Sequence, residues 1–88
     1  MNERASPATR MHDVVVVHEQ SGALWRAGTA CIRGGRIVIA IRKNLPPESF
    51  FDDPVATFCI HALDGADRVR RFPNLVLITR TPSEYVFD

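Results

Sequence analysis

The residues that could do acid–base, nucleophilic or metal chemistry are few and widely spaced. The three histidines, His12, His18 and His61, form no HxH or HxxxH pair, so no familiar metal-binding spacing occurs. A single histidine without an orienting partner does not define a catalytic base. No serine stands in a GxSxG-like turn. We therefore predict no catalytic residue, no metal site and no cofactor, and we expect a protein that is not an enzyme.

The two cysteines are also more typical of buried, structural positions than of a metal site. Cys31 and Cys59 stand in apolar sequence without CxxC spacing, which excludes a typical zinc site. The N-terminal residues are polar and lack the apolar stretch of a signal peptide, so we expect a cytoplasmic protein with free, buried thiols. A disulfide between the two is the alternative. The carboxylates of Asp52 and Asp53 could bind a cation, but acids before a proline more often cap or end a helical turn.

Charge is segregated along the chain although the net charge is only +1. Residues 20–47 hold five basic residues and no acid, residues 48–67 hold five acids and no Lys or Arg, and residues 68–80 hold four arginines. Arginine suits bidentate contacts with carboxylates or phosphates. Opposed blocks of charge can pair within one chain or with the blocks of a second copy, and the latter favours association between chains. The basic residues that we predict to bind are Arg33, Arg36, Arg42, Lys43, Arg68, Arg70 and Arg71.

The sequence around Gly34-Gly35 predicts a β-hairpin. Glycine takes the positive φ angles of a two-residue turn, and apolar residues alternate on both sides of it. This turn would place Ile32 opposite Ile37, Ala30 opposite Ile39 and Gly28 opposite Ile41. A glycine inside a strand, as at position 28, often marks a bulge.

Trp25 is the most informative single residue of this hairpin. Strict alternation places it on the face opposite the isoleucines, together with Ala27, Thr29, Cys31, Val38 and Ala40 and framed by Arg33, Arg36 and Arg42. Three interpretations remain open. The face could be a second core layer beneath Phe50-Phe51, an interface with a protein or a second copy, or a platform on which nucleic-acid bases stack.

The remaining chain predicts further short strands separated by turns. We expect strands at about 13–18, 23–33, 36–42, 55–63, 68–72 and 75–80, with residues 66–72 as a helical turn in the alternative. Pro47 would open a short helix that ends before Pro54. Asp64-Gly65 would pair Ile60 with Val69 and His61 with Arg68. Residues 84–88 would form a short tail with Tyr85 and Phe87 docked.

These elements define the expected architecture. We predict a disordered tail at residues 1–11 and one mainly β domain at residues 12–88. Its fold would be an antiparallel meander of five to six strands, as a curled sheet or partly closed barrel, with at most one helical turn. No apolar run is long enough to span a bilayer.

A weak resemblance adds to this interpretation. The segments Trp25–Ala30, Gly35–Ile39 and Leu45-Pro46 resemble small proteins of plasmids and other mobile elements, over roughly a quarter of the chain. The resemblance carries over no functional residue and implies an accessory protein that works by binding. We expect a binding module for a protein partner or a homodimer, with nucleic-acid binding as the alternative.

Overall fold

Seven antiparallel strands form a single curled sheet, in a computed structural model that describes residues 10–41 and 52–88. The sheet order is β5-β4-β1-β2-β3-β7-β6, and no helix occurs in the described residues. The mainly β class and the curled sheet are confirmed, with one more strand than the five to six predicted. The order departs from a simple meander because β4 lies beside β1 and β7 lies beside β3. The strands are β1 (Arg10–His18), β2 (Leu24–Arg33), β3 (Arg36–Ala40), β4 (Phe58–Leu63), β5 (Val69–Leu75), β6 (Leu77–Arg80) and β7 (Glu84–Phe87).

A bent stretch of chain joins the two ends of the sheet. β5 and β6 are separated only by Val76, yet β5 pairs with β4 and β6 pairs with β7. Val76 and Asp88 exchange two backbone hydrogen bonds of 3.0 Å, which continue the β6–β7 ladder to the bend. One continuous run, residues 69–80, therefore bridges both ends, and the sheet curls into a half-barrel.

The hydrophobic core fills the inside of this curled sheet. Phe58 and Phe87 are almost completely buried and meet edge to face, with ring centroids 5.3 Å apart. They lie next to the bend, since Phe58 pairs with Leu75 and Phe87 pairs with Leu77. β1 is the central strand that its valine run predicts, because it pairs with both β2 and β4. Its residues Val14 and Val16 point into the core.

The predicted hairpin is confirmed at the turn. Gly34 and Gly35 have φ angles of 62° and 80°, as a two-residue turn of this kind requires. Ala30 pairs with Ile39 and Ile32 with Ile37, which is the predicted register. The hairpin register is thus fixed by local sequence alone. The predicted pair of Gly28 with Ile41 does not appear in the β2–β3 ladder, and Gly28 pairs with Val14 of β1 instead.

The predicted position of Trp25 on the outer face is wrong. Trp25 is only 4% exposed and lies in the core with Ile37, Ile39 and Ile41. Its ring is 5.4 Å from that of Tyr85.

The cause is a β-bulge in the middle of β2. Val14 pairs with Gly28, but the next residue, Val15, pairs with Arg26, so Ala27 is an extra residue in β2. Gly28 adopts a φ of 94°, which is costly for any residue other than glycine. One extra residue exchanges the two faces of the strand, because side chains alternate with a period of two. Trp25 therefore turns inward and Arg26 outward.

The Asp64-Gly65 turn is longer than predicted. Ile60 pairs with Phe72 and His61 with Arg71, so the predicted partners of Ile60 and His61, Val69 and Arg68, are wrong by three residues. The reason is the Asp64 side chain, whose Oδ1 accepts backbone hydrogen bonds from Ala66 and Arg68 and shapes a five-residue turn. Residues 69–75 form a strand, not the helical turn considered as an alternative.

The predicted ends of the domain also differ from the structure. Residues 84–87 form β7 rather than a tail, although Tyr85 and Phe87 are buried as expected. β1 begins at Arg10, and Met11 is 2% exposed, within the stretch predicted as a tail. Residues 1–9 lie outside the described residues. So do Arg42, Lys43, Phe50-Phe51 and most of the predicted helix, while Asp52–Val55 forms a turn.

Replacing Trp25 by alanine should destabilise the fold. Removing a buried tryptophan from a packed core costs about 3–5 kcal/mol of unfolding free energy. Urea denaturation measures this change. The adjacent Leu24→Ala is the control: Leu24 is 57% exposed, so its loss should change the unfolding free energy by less than about 0.5 kcal/mol. Equal effects of the two changes would contradict the inward position of Trp25.

Gly28→Ala tests the bulge itself. No atom lies within 4 Å of the place where a Cβ would stand, so a clash contributes nothing. The positive φ alone should cost about 1–3 kcal/mol of unfolding free energy. Gly65→Ala is the matched control, because Gly65 also has open space and lacks a positive φ. An unchanged stability of Gly28→Ala would show that β2 does not need this backbone conformation.

Candidate functional groove

The face of the sheet that points away from the core carries an open groove. Thr29, Cys31, Val38 and Ala40 lie on this outer face, as the sequence predicts, because the bulge leaves the C-terminal half of β2 in the expected alternation. The floor of the groove is largely apolar because Cys31, Val38 and Ala40 form it. Val38 is buried and Cys31 is half-buried. We call the cavity over these residues the outer groove.

The outer groove has a volume of about 900 Å³. Its lining includes Arg10 of β1 and Arg26 of β2, which mark its two limits along the β1–β2 ladder, together with His12, Gly65 and Glu84. Arg10 pairs with Cys31 across the β1–β2 ladder, and Cys31 is five residues from Arg26 along β2. At about 3.3 Å per strand residue, the two arginine positions are roughly 15 Å apart.

Arg10 and Arg26 are exposed and have no carboxylate within ion-pair distance in the part of the chain that the structure describes. Other predicted cations are paired. Arg33 lies 3.4 Å from Glu84, Arg36 3.6 Å from Asp88, and Arg68 3.3 Å from Asp64. These three ion pairs balance part of the positive charge that the sequence assigns to a binding surface.

The two basic segments of the sequence converge at one place. Arg71 pairs with His61, His61 with Val15, and Val15 with Arg26, so the four residues form one row across β5, β4, β1 and β2. Three strand spacings separate Arg71 from Arg26, or roughly 14 Å. Arg71 therefore shares the outer face with Arg26. Arg70 instead lies on the core side at the sheet edge, with its guanidinium 5.2 Å from the centre of the Phe72 ring.

One wall of the groove is held by His12. Its Nε2 lies 2.7 Å from Asp67 Oδ1, and its Nδ1 lies 3.4 Å from Asp13 Oδ2. Partial burial lowers the pKa of His12, but the hydrogen bonds and negative charges of Asp67 and Asp13 outweigh it and raise the pKa above the ordinary 6.5. The contact ties the start of β1 to the β4–β5 turn.

That turn is itself fixed by Asp64, whose carboxylate is nearly buried at 5% exposure. Backbone hydrogen bonds from Arg68 and Ala66 to this carboxylate, with the nearby Arg68 charge, lower its pKa below 3.8. Asp64 is therefore ionised at neutral pH and holds the turn that presents Gly65 to the groove and Asp67 to His12.

The sequence predictions cover this site only in part. Trp25 lies in the core and cannot act as a surface anchor, and Arg42 and Lys43 lie outside the described residues. The sequence predictions miss Arg10, His12 and Arg26, all of which line the groove. Arg10 falls in the predicted tail, and neither His12 nor Arg26 is among the predicted binding residues. The alternation of Arg10, Met11 and His12, with only Met11 apolar, is the signal that could have extended β1.

A second pair of reactive side chains lies on β4. Cys59 Sγ is 3.3 Å from His61 Nε2, because residues two apart in a strand share a face. Cys59 is 4% exposed, so the pair presents almost no thiol surface to a substrate. Cys31 and Cys59 are both free, as expected.

Within residues 10–41 and 52–88, no group of three or more His, Cys, Asp or Glu side chains could hold a metal ion, and no helix is long and apolar enough to cross a membrane. The aromatic rings of that part point inward: Trp25, Phe58, Tyr85 and Phe87 are buried, and Phe72 packs against them.

Comparisons with family models, with curated proteins and with solved structures gave no match for this chain. The resemblance to proteins of mobile elements therefore has no support from them. The function must be argued from the groove alone.

Titration of His12 tests the wall of the groove. Because its folded pKa is raised, His12 stabilises the fold below pH about 6.5, and this contribution disappears as the pH rises through the folded value. Asp67→Asn should lower the pKa of His12, measured by NMR, and should destabilise the protein more at pH 5.5 than at pH 8 (roughly the two sides of the titration). Asp52→Asn, at an exposed site, is the control. A His12 pKa unaffected by Asp67→Asn would contradict the contact.

Proposed function

We propose that this protein is a non-enzymatic binding module that holds an acidic, extended segment of a protein partner in the outer groove. The observation that carries the proposal is the pair Arg10 and Arg26. Both are exposed at the ends of a groove with an apolar floor, and neither has a carboxylate partner among the described residues. Complementary charge of this kind provides specificity and rapid encounter.

The spacing supports an extended ligand. Carboxylates four residues apart lie on the same face of an extended peptide and are separated by roughly 13 Å, which is close to the roughly 15 Å between Arg10 and Arg26. Arginine binds a carboxylate through two parallel hydrogen bonds. Beside these two anchors, apolar side chains of the peptide would pack on the floor formed by Cys31, Val38 and Ala40, and the burial of the peptide's own apolar surface would add to the affinity.

Nucleic acid is the second candidate, favoured by the row that brings Arg71 to the same face as Arg26. Binding of single strands relies on aromatic side chains on which bases stack. The Phe, Tyr and Trp rings in the described part of the chain are turned into the core or packed against it. Arg33, Arg36 and Arg68 are also partnered by carboxylates. The outer face therefore fits a carboxylate-bearing peptide better than a stacked strand.

Charge reversal at Arg26 tests this function. The probe is a fluorescent twelve-residue peptide with Glu at every fourth position and Val or Thr between, followed by fluorescence anisotropy. Arg26→Glu should weaken binding at least tenfold, about 1.4 kcal/mol, because it replaces attraction by repulsion at one end of the groove. Arg36→Glu, which makes the same charge change at a site already paired with Asp88, should weaken binding less than threefold.

A parallel titration with an oligonucleotide of twenty thymidines separates the two candidates. Tighter binding of the oligonucleotide than of the peptide, with a steep loss in salt, would replace the protein partner by nucleic acid. Equal losses from Arg26→Glu and Arg36→Glu would show that the groove is not the binding site. An uncharged peptide with Gln in place of Glu should bind at least tenfold more weakly than the acidic probe.

A further inference from the structure

The exposed turn at residues 52–55 has the chemistry that the outer groove would bind. Asp53 shapes it: its Oδ1 accepts a hydrogen bond of 3.0 Å from the Val55 N–H, and its carbonyl accepts one of 3.1 Å from the Ala56 N–H. The turn is therefore formed before any partner arrives, which lowers the entropy lost on binding. We call residues 52–55 the acidic turn.

The acidic turn exposes a negative charge beside an apolar side chain. Asp52 is exposed and has no ion-pair partner within the described ranges 10–41 and 52–88. Val55 is 77% exposed, more than any other large hydrophobic residue described. The Asp52 carboxylate is opposite in charge to Arg10 and Arg26. The apolar Val55 side chain is complementary to the apolar floor of the outer groove.

We propose that the partner in the outer groove is a second copy of this chain, which inserts its acidic turn. This inference rests on the proposed function and names the ligand of the same groove. The Asp52 carboxylate binds Arg26 or Arg10, and Val55 covers the floor formed by Cys31, Val38 and Ala40. A second copy is favoured over an unrelated protein because the two surfaces are complementary in charge and neither has an ion-pair partner among residues 10–41 and 52–88.

Within one chain the acidic turn does not occupy the groove: residues 52–55 are not part of its lining, and no ion pair joins Asp52 to Arg10 or Arg26. Thr57, just after the turn, accepts a hydrogen bond from the Glu19 N–H, beyond the C-terminal end of β1. Arg10 stands at the opposite end of β1, roughly 26 Å away along eight strand residues. A turn from one copy in the groove of the next gives a head-to-tail contact, in which each molecule uses two different surfaces.

Such a contact is small and therefore weak. One four-residue turn in a groove buries less area than a stable dimer needs, so the association belongs to the transient class. We expect a dissociation constant between about 10 µM and 1 mM. The average mass in solution should rise with protein concentration and fall when salt is added.

The experiment uses two complementary variants in analytical ultracentrifugation. Arg26→Glu disables the groove and keeps the acidic turn. The double variant Asp52→Lys/Val55→Ser disables the turn, keeps the groove, and leaves Asp53 to hold the turn geometry. Each variant alone should be a monomer at concentrations where the wild type associates. An equimolar mixture should form a dimer and nothing larger, because one working groove and one working turn remain.

The controls separate this proposal from the function on which it rests. Arg36→Glu should associate as the wild type does, and circular dichroism should show all variants folded. A mixture that stays monomeric, or a wild type that is monomeric at about 1 mM, overturns the self-association proposal. The proposed function is decided independently: the Asp52→Lys/Val55→Ser variant keeps an intact groove and should still bind the acidic peptide. If it binds the peptide while the mixture stays monomeric, the groove takes another protein and not this chain.

Discussion

The backbone conformation of Gly28 decides what each face of the sheet presents. Its φ of 94° accommodates the extra residue Ala27 and exchanges inside and outside along the first half of β2. Trp25 consequently completes the core, and Arg26 takes the outward position that alternation would give to tryptophan. A groove with an arginine at its end, instead of an indole, follows from this single irregularity.

β1 carries a matching irregularity opposite the one in β2. Asp13 has a φ of 50° and lies at a register shift between His12 and Val14. Met11 and Val14 both face the core for this reason, whereas Arg10 and His12 face outward. The two bulges lie side by side at the groove. β-Bulges change the direction of side chains near functional sites in many β proteins. Here the outward positions of Arg10 and Arg26 depend on the two bulges.

The parts of the fold that could be predicted are those that local sequence controls. Gly34-Gly35 fixes its hairpin because turn type and register are set within a few residues. The glycine at 28 signals a bulge, but sequence alone does not say which residue is extra, and an error of one residue moves Trp25 to the wrong face. The prediction for the Asp64-Gly65 turn is wrong for a related reason. Hydrogen bonds to the Asp64 side chain lengthen the turn beyond the two residues that an Asp-Gly pair suggests.

The charge balance of the site depends on long-range contacts. Arg33 and Glu84 are 51 positions apart in sequence, and only the placement of β7 beside β3 brings them together. The net charge of a sequence block therefore overestimates how much positive charge is available at the surface to bind a partner. Arg26 and Arg71 illustrate the converse, because they belong to separate blocks and meet in one row only through the pairing of four strands.

The strand order also bears on how the chain acquires its structure during synthesis. β3 can join β2 as soon as the hairpin has emerged, but its other edge stays bare until residues 84–87 have been made. The bend at Val76 likewise waits for Asp88, its hydrogen-bonding partner. A nascent chain in which β3 has paired with β2 thus leaves the other edge of this isoleucine-rich strand without β7 for more than forty residues of translation, from Ala40 to Glu84. An exposed strand edge is a template for pairing with other chains, and in this fold only the last strand to be synthesised covers it.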